Sequence, residues 1–279
     1  MKRYGMIAMI ATFCIKASGQ TLTIRDVLAN GATDASNSQF RLSGTVGQTV
    51  IGSTMNASNR VLAGFWPIVG AFPVPVRANV RFLLSGAMNP VTQRMNKTLN
   101  TSGYLAARYG VPVHPDAVDS VTIEVRDALT GTGSTVRKFL PAWLLTDGSI
   151  RDFHDTTRTA VSADLPAGNY YIVVHHVNHL PVMSATQQAL GPLSGVYDFT
   201  TSQSQAYGTN PMLPVGTLFG LFPGDGNHSN IISAADVNGV FGSLNATGYN
   251  ASDINLSGIV TSADANMVLQ NLNQAGQVP

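Results

Sequence analysis

Charge is what this sequence has least of. Only 11 % of its 279 residues are Asp, Glu, Lys or Arg, with one glutamate (Glu124) and four lysines, well under the quarter usual for a soluble domain. No basic run or aromatic–basic stripe is available to neutralise phosphates, which argues against a nucleic-acid partner. Cysteine is almost absent as well. Cys14 is the only one, so no internal disulfide can form, and folding rests on core burial or on metal. No apolar run approaches the roughly 20 residues of a membrane-spanning helix. There is no G-x-S-x-G, no H-E-x-x-H and no phosphate loop, so the common nucleophile, zinc-protease and nucleotide motifs find no match. Gly, Ser, Thr, Asn and Ala fill the deficit, a balance that suits an exported β-rich protein better than a helical cytosolic enzyme.

The N-terminus reads as an export signal. Lys2 and Arg3 precede an apolar run over 5–15, and Lys16 with Ala17-Ser18-Gly19 follows. This predicts a secretory signal peptide over residues 1–19; the alternative is a buried N-terminal strand or helix. Cleavage removes Lys2, Arg3 and Lys16, so a net charge of +1 becomes about −2, and the thiol of Cys14 goes with them. Phe13 directly before Cys14 argues against a lipid-attachment box. The expected location is secreted, extracellular or at the cell surface, with no membrane insertion after cleavage.

What is present in strength lies at the other end. The pattern D-x-N-x-S-x-I-x-x-x-x-D occurs as Asp225, Asn227, Ser229, Ile231 and Asp236, and again 28 positions on as Asp253, Asn255, Ser257, Ile259 and Asp264, an internal repeat. Calcium takes six to eight oxygen ligands, and a twelve-residue EF-hand loop supplies them from positions 1, 3, 5, 7 and 12. Position 7 gives a backbone carbonyl, so Ile231 and Ile259 are acceptable there. Gly258 occupies the sharply turned sixth position of the second loop, and Asn230, which visits the left-handed region readily, that of the first. Ile232 and Val260, at position 8, are expected to pair as a short strand between the loops. A helix is expected from each position 12, carrying the stripes Val237, Val240, Phe241, Leu244 and Met267, Val268, Leu269, Leu272.

On these residues the stretch from about 223 to 275, within an expected C-terminal domain 223–279, resembles the dockerin type I family. The resemblance implies a helical domain of paired EF-hand-type loops holding two Ca2+ ions. Two carboxylates per loop imply weaker binding than in sensor EF-hands. Cellulosomal dockerins often carry Ser-Thr at loop positions 10 and 11. Here those places hold Ala234-Ala235 and Ser262-Ala263, so the metal carries over and the cohesin partner does not.

Ahead of the repeat, short strand patterns broken by turns predict a mainly β fold. Residues 20–70 are expected as a small β-meander, 71–76 (A-F-P-V-P-V) as a semi-rigid linker, and 77–222 as an antiparallel β-sandwich. Within the sandwich, the alternation Val121–Arg126 predicts a strand with one buried face, and Tyr170–Val177 the strongest strand. Residues 104–114 read as an irregular insert. Phe65-Trp66 reads either as a sugar-stacking platform or as an aromatic anchor in a small core. The segment G-T-V-G-Q (44–48) followed by G-F-W-P (64–67) resembles part of bacterial secreted multi-module proteins. The runs V-T-I-E-V-R-D and A-G-N-Y-Y-I-V-V-H-H-V-N-H-L-P-V-M-S resemble a region found before dockerin-like repeats in exported, haemagglutinin-like bacterial proteins, which implies adhesion.

His175, His176 and His179 are the one cluster where zinc or catalysis could begin. Strand periodicity puts His175 and His179 on one side and His176 on the other, but zinc needs three or four donors, and His154 or Asp155 would have to come from another strand. The bland reading is local hydrogen bonding at a strand end. Three functional readings follow. The first is a non-enzymatic surface or matrix protein that contacts a protein partner or itself. The second is an accessory component of polysaccharide breakdown. The third is a metal-dependent enzyme centred on His175 and His179.

Overall fold

The structure is a computed structural model. It describes residues 75–279 except 90 and 133–136, and before them the backbone of seven strands. The chain divides into two compact units, Met1–Val74 and Pro75–Pro279.

In the first unit β1 (Cys14–Ala17) pairs antiparallel with β2 (Gln20–Thr23), so a strand lies inside the stretch read as a signal peptide. β3 (Gly31–Ser36), β4 (Arg41–Val46), β5 (Ile51–Met55), β6 (Asn59–Ala63) and β7 (Ala71–Pro73) follow one another in a five-stranded antiparallel sheet. Glycine-broken alternations of this length make such a meander. The stretch read as a linker differs from expectation, because Ala71–Pro73 pairs with Asn59–Val61 as the edge strand, the position where a sheet tolerates proline. Phe65 and Trp66 lie outside the described residues, as do residues 1–13, 18 and 19 of the expected signal.

The second unit begins with β8 (Val76–Arg81), whose Val76, Ala78 and Val80 face inward at period two. The short pair β9 (Met88–Asn89) and β10 (Arg94–Met95) leads into α1 (Thr98–Thr101) and α2 (Tyr104–Tyr109). The expected irregular insert at 104–114 thus begins as helix α2, anchored by buried Leu105. Then come β11 (Ala117–Arg126), β12 (Arg137–Leu145), β13 (Ile150–Asp152), β14 (Val161–Ala163), β15 (Gly168–His175), β16 (Val182–Met183), β17 (Gln188–Leu190) and β18 (Val196–Asp198). The main sheet runs β13-β12-β11-β15-β16, with β17 on the start of β15, and the second runs β14-β8-β18. One core, including Phe82, Ile123, Trp143, Ile172 and Phe199, draws on both sheets. The expectation of an all-antiparallel sandwich fails at one pair: β18 runs parallel to β8.

A second difference matters more for function. β11 was expected to bury one face, yet Glu124 and Arg126 on its polar face are also buried. A central strand covered on both sides loses the inside–outside alternation that marks a half-exposed one.

After the hairpin β19 (Leu213–Val215) and β20 (Leu218–Gly220), the chain forms α3 (Ala234–Gly242) and α4 (Ser262–Gln270). Ile232, Val237, Val240, Ile254, Val260 and Val268 make a small apolar cluster between them, joined by Leu180 and Phe222 from the sandwich side. Leu256, from the second loop, belongs in turn to the sandwich core. The boundary expected at 222/223 is therefore bridged by packing, and Pro75–Pro279 is one compact unit.

Candidate metal centre

Each helix starts two residues earlier than its stripe predicted, because a capping box precedes it. Ser233 caps α3 with Asp236 as third helical residue, and Thr261 caps α4 with Asp264. The S/T-x-x-D signal was present in the sequence. The box also aims the carboxylate. Oδ2 of Asp236 accepts from Ser233 N–H at 2.9 Å while its Oδ1 accepts from Asn227 N–H at 3.1 Å. The matching bonds of Asp264, from Thr261 and Asn255, are 2.8 and 3.0 Å.

The first loop positions behave alike. Asp225 accepts from the N–H groups of Ser229 at 2.9 Å and Asn230 at 3.1 Å, and Asp253 from those of Ser257 at 2.9 Å and Gly258 at 2.7 Å. The hydroxyls of Ser229 and Ser257 lie 2.9 and 3.0 Å from the carbonyl oxygens of Ile231 and Ile259. Asn227 and Asn255 turn their Oδ1 inward, each accepting from the N–H of the following serine at 2.9 Å. Every one of the ten sequence-selected residues is thus brought into its loop. Position 6 is left-handed in both copies, with φ of +65° at Asn230 and +86° at Gly258. Position 4 is left-handed as well, at His228 (+59°) and Leu256 (+56°), which the sequence reading missed.

The expected strand between Ile232 and Val260 does not form. Ile232 exchanges backbone hydrogen bonds with Asn273 and Gln274 after α4, and Val260 with Asn245 and Ala246 after α3. Each loop is thus stitched to the segment following the opposite helix. The two apolar side chains still meet in the cluster between the helices.

The loops fit a hard divalent cation by burial and donor chemistry. Asp225, Asp236, Asp253 and Asp264 are all buried, and among the described residues none of the four forms an ion pair with a lysine or arginine. Burial, together with the neighbouring Asp264, pushes Asp253 up to about 6 against the pull of its backbone N–H donors. Burial also raises Asp225. A cation removes that penalty, since it supplies the opposite charge next to both carboxylates. The donors are all oxygen, which suits Ca2+ and not a thiolate- or imidazole-preferring metal.

The histidines divide differently from the strand prediction. β15 ends at His175, so period two stops there. His175 Nε2 meets Glu124 Oε2 at 2.8 Å, while His176 and His179, expected on opposite sides, meet through their Nδ1 atoms at 3.1 Å. His176 Nε2 lies 3.0 Å from Asp119 Oδ2. His179 Nε2 accepts from Gly86 N–H at 3.2 Å, so its proton sits on Nδ1, which faces Asn178 Oδ1 at 2.8 Å. Asp155 is ion-paired with Arg158 instead. Among the described residues no three His, Cys, Asp or Glu side chains are grouped to hold a metal. In the two loops the donors beyond the aspartates are amide, hydroxyl and carbonyl oxygens.

No family model and no curated protein matches the chain. It is similar to two crystal structures of interface mutants of a type II cohesin–X–dockerin complex from Acetivibrio cellulolyticus. One match is at 13 % identity over 56 % of this chain and 82 % of that one. The other is at 12 % over 72 % and 96 %, and both have a TM-score of 0.31.

Proposed function

We propose that the C-terminal loops bind two calcium ions as a structural staple of the dockerin type, in an exported protein that acts through protein contacts at a cell surface or matrix and not by catalysis. The observation that carries the metal reading is the pair of buried aspartates in each loop, held by backbone N–H groups and lacking a cationic side chain. The apolar cluster between the two helices is small, and a single cysteine allows no internal disulfide beside it, so bound ions would add stability at this end of the unit. If each site has a dissociation constant of about 10 µM in about 1 mM calcium, it adds roughly 2.7 kcal/mol by mass action.

A protein-contact role is supported by apolar side chains of this region that face solvent. Phe241 and Leu244 near the end of α3, and Leu269 on α4, are 53 %, 42 % and 46 % exposed. Their partner is a surface or matrix protein, or a second copy of this chain. Polysaccharide association is the second reading.

Calorimetric titration of Ca2+ into the chelator-stripped chain, with circular dichroism in parallel, is the test. Two sites with ordering on binding are expected. An absence of both heat and spectral change overturns the metal reading.

A further inference from the structure

Each loop is closed by the chain that follows the opposite helix, and the two closures repeat one bond pattern 28 positions apart. Ile231 forms an antiparallel bridge with Ala275, as Ile259 does with Thr247. Gly276 N–H donates to the Asn230 carbonyl at 2.9 Å, as Gly248 N–H does to that of Gly258 at 3.0 Å. With the bonds of Ile232 and Val260 already described, positions 6 to 8 of each loop are held from outside. That stretch includes position 7, whose carbonyl is a ligand in an EF-hand loop.

The two closing segments are anchored differently. The one on the second loop runs on into Tyr249, whose hydroxyl donates to Asp119 at 3.2 Å, and the loop it holds is tied to the sandwich through Asn178 and Asn96. The one on the first loop is the segment 273–279. Its Asn273, Gln274, Ala275 and Gln277 are exposed. Val278 and Pro279 line a cavity of about 360 Å³ beside Arg126, Glu124 and His175, and Arg126 Nη1 donates to the Pro279 carbonyl at 3.2 Å. A segment with solvent-exposed hydrogen bonds and little buried apolar surface opens at low free energy. Its contact with the loop is fitted by size. Asn230 stands at position 6, where the second loop has Gly258, and a Cβ on Gly276 would collide with the Asn230 side-chain amide. Gly276 lies outside the left-handed region, so alanine there brings a collision without backbone strain.

We propose that residues 273–279 are a clasp that gates the first loop, which takes calcium at full affinity only while Gly276 is closed on Asn230. The inference rests on the calcium reading and deepens it. The second loop, built into the sandwich, is a standing site, and the first is a conditional one. Coupling between two events is reciprocal, so calcium in the first loop closes the tail as strongly as the closed tail favours calcium.

The test titrates Ca2+ into the chelator-stripped full chain and follows backbone amides by NMR. The amides of Asn230 and Gly258 report the two loops separately, since each donates to the first aspartate of its own loop. Wild type is expected to fill both loops, and hydrogen exchange at Asn273 and Gly276 to slow as it does. Gly276→Ala should weaken binding at the first loop by about tenfold, the value of one hydrogen bond, with the second loop unchanged. Adding Asn230→Gly removes the group that the new Cβ meets, and should return the first loop to within about twofold of Asn230→Gly alone. The clasp is overturned if Gly276→Ala leaves the first loop at wild-type affinity or weakens both loops equally. A double variant without recovery, or exchange at Gly276 indifferent to calcium, overturns it too. In all these outcomes the metal reading stands. A wild-type chain that takes no calcium removes that reading and the clasp with it.

Discussion

The side-chain amide of Asn178 donates to the main-chain carbonyl of Asp253 over 2.8 Å. A residue in the segment just after β15 thus grips the first position of the second loop. Asn178 Oδ1 accepts from His179 Nδ1–H, and His179 meets His176, which meets Asp119 on β11. On the other flank Asn96 Nδ2 reaches the carbonyl of Asn255 at 2.7 Å. The histidine cluster is therefore joint tissue between sheet and loop.

Asn178→Ala leaves the Asp253 carbonyl buried without its donor, which costs about 1–3 kcal/mol. The unfolding free energy extrapolated from urea curves should fall by that amount, and calcium affinity should drop at one site more than at the other. Equal affinity at both sites would show that the grip is not transmitted to the loop.

Asp253→Ala and Asp264→Ala should lower the melting temperature of the whole unit 75–279 in one transition, because Leu180 and Phe222 of the sandwich pack in the helix cluster while Leu256 of the second loop packs in the sandwich core. Calcium should raise the wild-type midpoint and raise these variants less. A biphasic melt, with the sandwich unaffected, would show that the loops unfold on their own.

Acid should loosen the joint through His179. Burial, and then the neighbouring His176, hold its pKa well below the ordinary imidazole value. The unfolded chain takes up that proton near pH 6.5 and the folded chain does not, so the unfolded state binds more protons below that pH. Stability is full above pH 6.5 and falls below it, by up to about 1.4 kcal/mol per pH unit for one proton. The measurement belongs in saturating calcium, because without it Asp253, raised to about 6, protonates first in the folded state and opposes the trend. A urea midpoint unchanged between pH 7 and 5.5 would rule out the buried neutral imidazole.

Glu124→Gln removes the carboxylate that Arg126 and Arg137 share. Loss of one partner of a buried pair costs about 3–5 kcal/mol. In the native protein its hydrogen bonds from His175 and Arg137 outweigh burial and hold its pKa at about 2. Its contribution is therefore present above the ordinary carboxylate range and lost as pH falls toward 2. Denaturant curves of the variant at pH 7 check the first figure.

Two glycines should respond in opposite ways to alanine. At Gly86 a Cβ would stand 2.4 Å from the carbonyl oxygen of Ile254 and 3.2 Å from His179 Nε2, so Gly86→Ala pushes loop and sandwich apart. At Gly239, inside α3, the nearest atom is 3.8 Å away, and alanine should stabilise by about 0.5–1 kcal/mol. Parallel thermal melts decide both.

The repeat around Asp225 and Asp253 was legible because its oxygen-bearing side chains recur at fixed spacings within twelve residues, and such a pattern is local. The strand patterns were legible for the same reason, since period two reports a face buried by the nearest neighbours. Glu124 was read as solvent-facing and the insert at 104–114 as irregular because their surroundings come from far along the chain. Arg137 and His175 cover the one, and Leu105 anchors the other in the core. The histidines were misassigned for a related reason: His176 and His179 follow the strand's end, where backbone direction is set by Gly86, Asn178 and the loop at Asp253. The sequence by itself determined the β-rich elements, the two helices and the ten loop residues, each a matter of local spacing. Only the tertiary structure decided that sandwich and loops form one body, and that the cavity beside Arg126 exists, because both depend on groups that meet only once distant segments pack.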